Sequence, residues 1–125
     1  MNKDKYQYRI YGRNKGRKKI NKKIIANENF YKKFSFDLKK DIIKNKNIIL
    51  DIGSGNGENS ILLAKKNLKN LIVACDVFLD GNLNLCNFLY DNKIDNVKIY
   101  SKNVIELFDN LHDINLFSEV WILFP

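Results

Sequence analysis

Ile48-Ile49-Leu50-Asp51-Ile52-Gly53-Ser54-Gly55-Asn56-Gly57-Glu58 is the stretch on which the fold turns. Three consecutive apolar residues read as a short strand buried on both faces, the pattern of a parallel sheet. Glycine then recurs at alternate positions, which turns the chain sharply and lets its backbone approach a ligand with no side chain in the way. The run Glu58–Lys66 that follows has helical character, with Ile61, Leu62 and Ala64 expected to face the sheet. The loop therefore lies between a strand and a helix start, where backbone N–H groups are free to bind an anion.

Asp51, two residues before Gly53, sharpens that reading. Dinucleotide-binding loops follow G-x-G-x-x-G, with the third glycine one step later than here. Position 58 is Glu58, so the nicotinamide fingerprint is not met. An acidic residue followed by G-x-G-x-G is a different loop, and Gly53, Gly55 and Gly57 are its candidate ligand-shaping residues.

Further along the chain, strand and helix patterns alternate. Residues 70–75 read as a second buried strand that ends at Asp76, a carboxylate placed where adenosine-binding folds of this kind accept the ribose hydroxyls. A helix is expected from Leu79 to Tyr90, with Leu79, Leu83, Cys86 and Tyr90 on its inner side. Val97–Tyr100 gives a third strand, and Asn103 after it is a candidate for the adenine amino group through its side-chain oxygen. A helix over 104–111 and a fourth strand over 118–125 complete the series, with Trp121 expected to pack. Strand, helix, strand, helix, strand, helix, strand is the order of a parallel α/β sheet. The series is expected to stop at the fourth strand, with an apolar edge left open.

Upstream, the composition changes. Residues 1–47 hold sixteen Lys and Arg against four Asp and Glu, whereas 48–125 hold six against ten, and the whole chain carries +8. A basic segment on a mildly acidic domain points to a polyanionic partner. Within it, Tyr8–Arg17 interleaves aromatic residues with Arg9, Arg13 and Arg17, a combination suited to RNA phosphates and bases. Residues 18–34 carry Ile20, Ile24, Ile25, Phe30, Tyr31 and Phe34 at helical spacing among lysines, and a short helix is expected over 37–44. Division into a basic arm with a helical segment, 1–47, and a cofactor-binding unit, 48–125, follows from this contrast.

Composition limits the remaining possibilities. At 125 residues with 45% apolar content, one domain with a modest core is expected. The sequence has no run of eighteen apolar residues and no charged-then-apolar leader, so a cytoplasmic chain without a membrane span is expected. Cys75 and Cys86 lack metal-ligand spacing and read as reduced core residues. No metal site is expected, and His112 is given no role beyond a polar position near a helix end.

Two segments together resemble one family. Arg9-Ile10-Tyr11-Gly12-Arg13-Asn14-Lys15-Gly16-Arg17 resembles the R-x-aromatic-x-R-x-x-G-R arm of the bacterial tRNA (guanine-N7)-methyltransferases, and the acid plus G-x-G-x-G resembles motif I of S-adenosylmethionine-dependent methyltransferases. The resemblance implies a Rossmann-like methyltransferase fold, S-adenosyl-L-methionine as cofactor and tRNA as partner. It implies that Asp51 helps hold the methionine end of the cofactor and that Asp76 holds its ribose, with Asn103 at the adenine. The family usually has Glu at the first two positions and an acid at the third, so Asn103 is the larger departure. The run ending in Phe124-Pro125 resembles the family's F-P-D-P-W, whose catalytic aspartate would be the next residue. No catalytic residue is therefore assigned within the chain, and residues 1–125 alone are expected to be inactive without a C-terminal half. A methyltransferase with another substrate, and a non-catalytic RNA-binding chain, are the alternatives.

Overall fold

The computed structural model describes residues 28–44, 47–111 and 116–123. Arg9, Arg13, Arg17, His112 and the Phe124-Pro125 terminus lie outside the described residues. So does residues 1–27, including the first part of the expected amphipathic helix over 18–34. In chain order the elements are α1 (Glu28–Lys32), α2 (Leu38–Lys44), β1 (Ile48–Ile52), α3 (Glu58–Lys66), β2 (Leu71–Cys75), α4 (Leu79–Asp91), β3 (Val97–Tyr100), α5 (Val104–Asp109) and β4 (Phe117–Ile122).

The four strands form one parallel sheet in the order β3-β2-β1-β4. Side-chain alternation assigns each strand residue to one of two cores. Ile49, Ile72, Ala74, Val97 and Ile99 pack with Leu63 and Ala64 of α3 and with Leu85, Cys86 and Leu89 of α4. Ile48, Leu50, Leu71, Val73 and Cys75 point the other way and pack with Leu107 of α5, and Leu38 and Ile42 of α2 lie against that same cluster. The architecture is thus helix, sheet, helix. α3 and α4 share one face because both crossovers move the chain in the same direction, from β1 to β2 to β3. The connection through α5 reverses direction to reach β4 on the far side of β1, and the same hand of crossover then places α5 on the opposite face.

Residues ahead of β1 belong to this packing. Phe30, Tyr31 and Phe34 lie against the first core, with the Phe30 ring 4.9 Å from that of Tyr90. Ser35 makes an isolated parallel bridge to Ile99, the Phe36 N–H donating to the Ile99 carbonyl at 2.8 Å, so the outer edge of β3 is partly covered. Asp37 caps α2, accepting from the Lys39 and Lys40 N–H groups, while Asp41 accepts from the Asp37 N–H at 2.7 Å. That reciprocal pair satisfies donors that a helix start leaves open.

Three expectations from the sequence need correction. In α3 the buried residues are Ser60, Leu63 and Ala64, and Leu62 is 56% exposed rather than facing the sheet. In α4 the inner residues include Gly81, Asn82, Leu85, Cys86 and Leu89, while Leu79 and Tyr90 are exposed. In both helices a small or polar residue is turned inward, Ser60 onto the Asp51 carboxylate and Gly81 onto the Gly55 carbonyl. Trp121 does not pack in a core either: it is 38% exposed, and its indole N–H donates to the Glu119 carboxylate at 3.0 Å.

Candidate cofactor-binding site

A sheet ordered β3-β2-β1-β4 changes direction between β1 and β4, and ligands of open α/β sheets bind beyond the carboxyl ends of the strands at that point. The glycine loop, residues 53–57, lies there. The Gly53 and Ser54 N–H groups donate to the Cys75 carbonyl at 2.8 and 3.2 Å, which ties the start of the loop to the end of β2. All three loop glycines adopt positive φ, and Gly57, with φ +85, is the residue that caps α3. A side chain at 57 would be strained in that conformation and would also place Cβ 2.5 Å from the Leu85 side chain.

Asp51 is the next-to-last residue of β1 and points towards the start of α3. It is 1% exposed, and its carboxylate accepts from the Ser60 hydroxyl at 2.6 Å and the Asn59 amide at 3.3 Å. Burial pushes its pKa up, the hydrogen bonds from Ser60 and Asn59 oppose that, and the charge of Asp76 adds to the rise. Asp76 directly follows β2. Its Oδ2 accepts from the Gly55 N–H at 2.7 Å and its Oδ1 from the Phe78 N–H at 2.9 Å, while the Asn82 amide donates to its carbonyl at 2.8 Å. Each carboxylate oxygen has a second lone pair beyond those bonds.

Asn103 is 7% exposed and caps α5: its Oδ1 accepts from the Ile105 N–H at 2.9 Å. The atom expected to meet adenine therefore already carries one hydrogen bond, and the Asn103 Nδ2 is buried with no partner. This capping role was not expected, although Asn immediately before a helical apolar run is a helix-start signal. Nor were Asn59 and Ser60, which lie in the first turn of α3 beside Asp51, or Gly81, which packs on Gly55.

Asp51, Gly53, Ser54, Asn56, Glu58, Asn59, Leu62 and Leu123 line a cleft of about 420 Å³. That is room for a small ligand. A larger cavity of about 700 Å³ lies at the other end of the sheet, bordered by Lys33, Tyr90, Lys93 and Lys98. Asp91 and Asp95 also border it, but neither the glycine loop nor Asp51 does; the smaller cleft is the one formed by Asp51 and the loop. Cys75 and Cys86 are free and buried, with burial pushing their thiols up to about 12 and about 11, so neither supplies a thiolate near neutral pH. Among the described residues no group of His, Cys, Asp or Glu is arranged to hold a metal ion, and no helix is long and apolar enough to cross a membrane.

The fold and the site together define an α/β domain of the Rossmann kind, with a glycine loop and two carboxylates at its switch point. A family model described as "Putative methyltransferase" matches residues 45–125, and the chain belongs to that family. Relatives include a tRNA (guanine-N(7)-)-methyltransferase of Buchnera aphidicola, 33% identical over 78 residues, which are 62% of this chain and 32% of that protein. A bifunctional methyltransferase of Rickettsia typhi is 30% identical over 119 residues, or 94% of this chain and 22% of that one. The chain thus spans about a third or less of the length of these relatives. A solved rRNA methylase from Streptococcus thermophilus aligns with 71% of this chain and 47% of its own at 17% identity, with a TM-score of 0.46.

Proposed function

We propose that this chain is the cofactor-binding part of an S-adenosylmethionine-dependent tRNA (guanine-N7)-methyltransferase, with residues 1–47 as a basic arm and helical segment and 48–125 as the cofactor-binding unit. The observation that carries the reading is the placement of Asp51 and Asp76 at the ends of adjacent strands on either side of the glycine loop. Burial and, to a lesser degree, the charge of Asp76 make ionisation of Asp51 costly, and a cationic ligand beside it offsets that cost. S-adenosylmethionine has that charge, and when bound it supplies a methyl group on a sulfonium centre. In this reading the spare lone pairs of Asp76 accept the ribose hydroxyls, Asp51 faces the ammonium group, and Gly53, Gly55 and Gly57 keep the loop backbone open. Asn103 borders the adenine.

The guanine target fits a site whose described residues offer no His or Cys nucleophile. N7 has a lone pair and no proton, so no base precedes attack, and the protein's work is positioning and placing negative charge near the product cation. Similarity to the tRNA (guanine-N(7)-)-methyltransferases supports tRNA as substrate, and Arg9, Arg13 and Arg17 are assigned to its phosphates. The reaction on tRNA is assigned to the complete protein, because the resemblance puts the catalytic aspartate after Pro125.

Calorimetric titration of S-adenosylmethionine into the chain and into Asp76→Ala tests the cofactor reading: binding at least tenfold weaker in the variant is expected, and equal affinity rejects it. For the arm, replacing Arg9, Arg13 and Arg17 by Ala should lower the log–log salt slope of tRNA binding by about 2–3, at roughly 0.7–0.9 for each phosphate contact. A wild-type slope in the triple variant would remove the arm from the interface.

A further inference from the structure

Gly81 lies in the first turn of α4, fully packed and far in sequence from the glycine loop, yet a side chain there has no room. A Cβ on Gly81 would overlap the Gly55 carbonyl oxygen, fall 2.7 Å from its carbonyl carbon and meet the Phe78 ring at 2.5 Å. Two of those atoms are loop backbone, which has no rotamer through which to yield. Gly55 itself has nothing within 4 Å of its own missing Cβ, so the tightness of this contact belongs to position 81 and not to the loop residue. The contact also coincides with a hydrogen bond, because the Gly55 N–H donates to Asp76 at 2.7 Å. Gly55 is consequently held on one side by the carboxylate that ends β2 and on the other by the bare surface of α4. Asp76 is fixed relative to α4 as well, through the Phe78 N–H on its carboxylate and the Asn82 amide on its carbonyl.

We infer that Gly81 is a positioning residue for the cofactor: the absence of a side chain at 81 sets how closely the glycine loop approaches the Asp76 carboxylate. This rests on the reading of the loop and Asp76 as the adenosine-binding groups. A methyl group at 81 moves Gly55 away from α4, stretches the Gly55–Asp76 hydrogen bond, and separates the two surfaces that border the ribose. Loops with a third glycine get close helix packing from that glycine. Here Gly57 meets Leu85 and Gly81 meets Gly55, so the close packing is supplied from the second helix, in a part of the sequence without a loop motif.

The test compares the full chain with Gly81→Ala and with Val97→Ala, a core variant remote from the loop, at a temperature where circular dichroism shows all three folded. Amide exchange is read at Gly55 and at core positions Leu50 and Val73, and affinity for S-adenosylmethionine is read by calorimetry. Expected for Gly81→Ala, relative to wild type, is Gly55 exchange at least tenfold faster and beyond any change in Val97→Ala, unchanged Leu50 and Val73 exchange, and at least tenfold weaker cofactor binding. If wild type binds no S-adenosylmethionine but the Gly55 exchange responds as stated, the loop-positioning inference stands and the cofactor reading falls. Unchanged Gly55 exchange and affinity in Gly81→Ala overturn the inference, and so does its global unfolding at every temperature, since the contact would then hold the fold and not the loop.

Discussion

A carboxylate as buried as Asp51, held by the hydroxyl of Ser60 and the amide of Asn59, makes the site sensitive to pH in a defined direction. Its folded pKa lies above the ordinary value of 3.8, chiefly through burial. The folded state therefore binds the proton more tightly than the unfolded state, and this group's contribution to stability falls as pH rises from about 3.8 to its raised folded value. Asp51→Asn removes that dependence. Thermal unfolding followed across this window should give a flatter profile and a higher melting temperature at pH 7 than wild type, together with weaker cofactor binding. A lower melting temperature at pH 7 would show that the carboxylate's hydrogen bonds outweigh its burial. Asp76 differs, because its work is to hold backbone. Asp76→Ala leaves the Gly55 and Phe78 N–H groups without their acceptor; with water able to reach this half-buried position, a loss of about 1–3 kcal/mol in urea unfolding is expected.

At the level of elements, α5 is short, and its start depends on one side chain. Asn103 Oδ1 accepts the Ile105 N–H, and Asn103→Ala should cost about 0.5–2 kcal/mol, the usual range for a lost helix cap. Asn103→Asp keeps the acceptor, removes the unpaired Nδ2 and restores the acid of the family it resembles. Urea unfolding of both variants separates capping from the rest: Asp should recover most of what Ala loses, and equal losses would mean that the amide group matters for another reason. Asn96 has a comparable role between elements. Its Nδ2 lies 3.0, 3.2 and 3.3 Å from the carbonyls of Ala64, Asn67 and Asn70, so it ties the end of α3 to the segment entering β3.

At the scale of the whole molecule, β4 carries the longest run of exposed apolar residues among the described ones. Among the described residues it pairs only with β1, and Val120, Trp121, Ile122 and Leu123 are 45%, 38%, 52% and 50% exposed. A strand with one free edge and apolar side chains outward is a template for further pairing. Purified residues 1–125 should accordingly self-associate at tens of micromolar, and placing Lys at Val120 and Ile122, which share one face, should reduce it. Sedimentation velocity checks this; a monomer in wild type at such concentrations would contradict it. The sheet interior contrasts with that edge, since Ile49, Leu50, Ile72 and Val73 are fully enclosed between helices.

The amino-acid sequence by itself determined the α/β alternation, the first three strands within a residue or two and the start of the fourth within one, the parallel sheet, the glycine loop and the positions of Asp51 near the end of β1 and Asp76 just after β2. Each rests on local signals: apolar runs of strand length, alternating glycines, and a carboxylate at the end of a strand. Helix orientation was not legible in this way, because Leu62, Leu79 and Tyr90 are as apolar as their buried neighbours. In the folded chain Ser60 packs on Asp51 and Gly81 on Gly55, on the same faces as Leu63 and Leu85, and such long-range contacts have no local signal. The partners of the site residues were likewise decided by tertiary structure. Asp76 meets Gly55 across 21 positions, and Gly81 meets the same residue across a connection that includes α3 and β2. No local pattern encodes such distances; they arise when two crossovers lay their helices on one face of the sheet and bring both helix starts to the same loop.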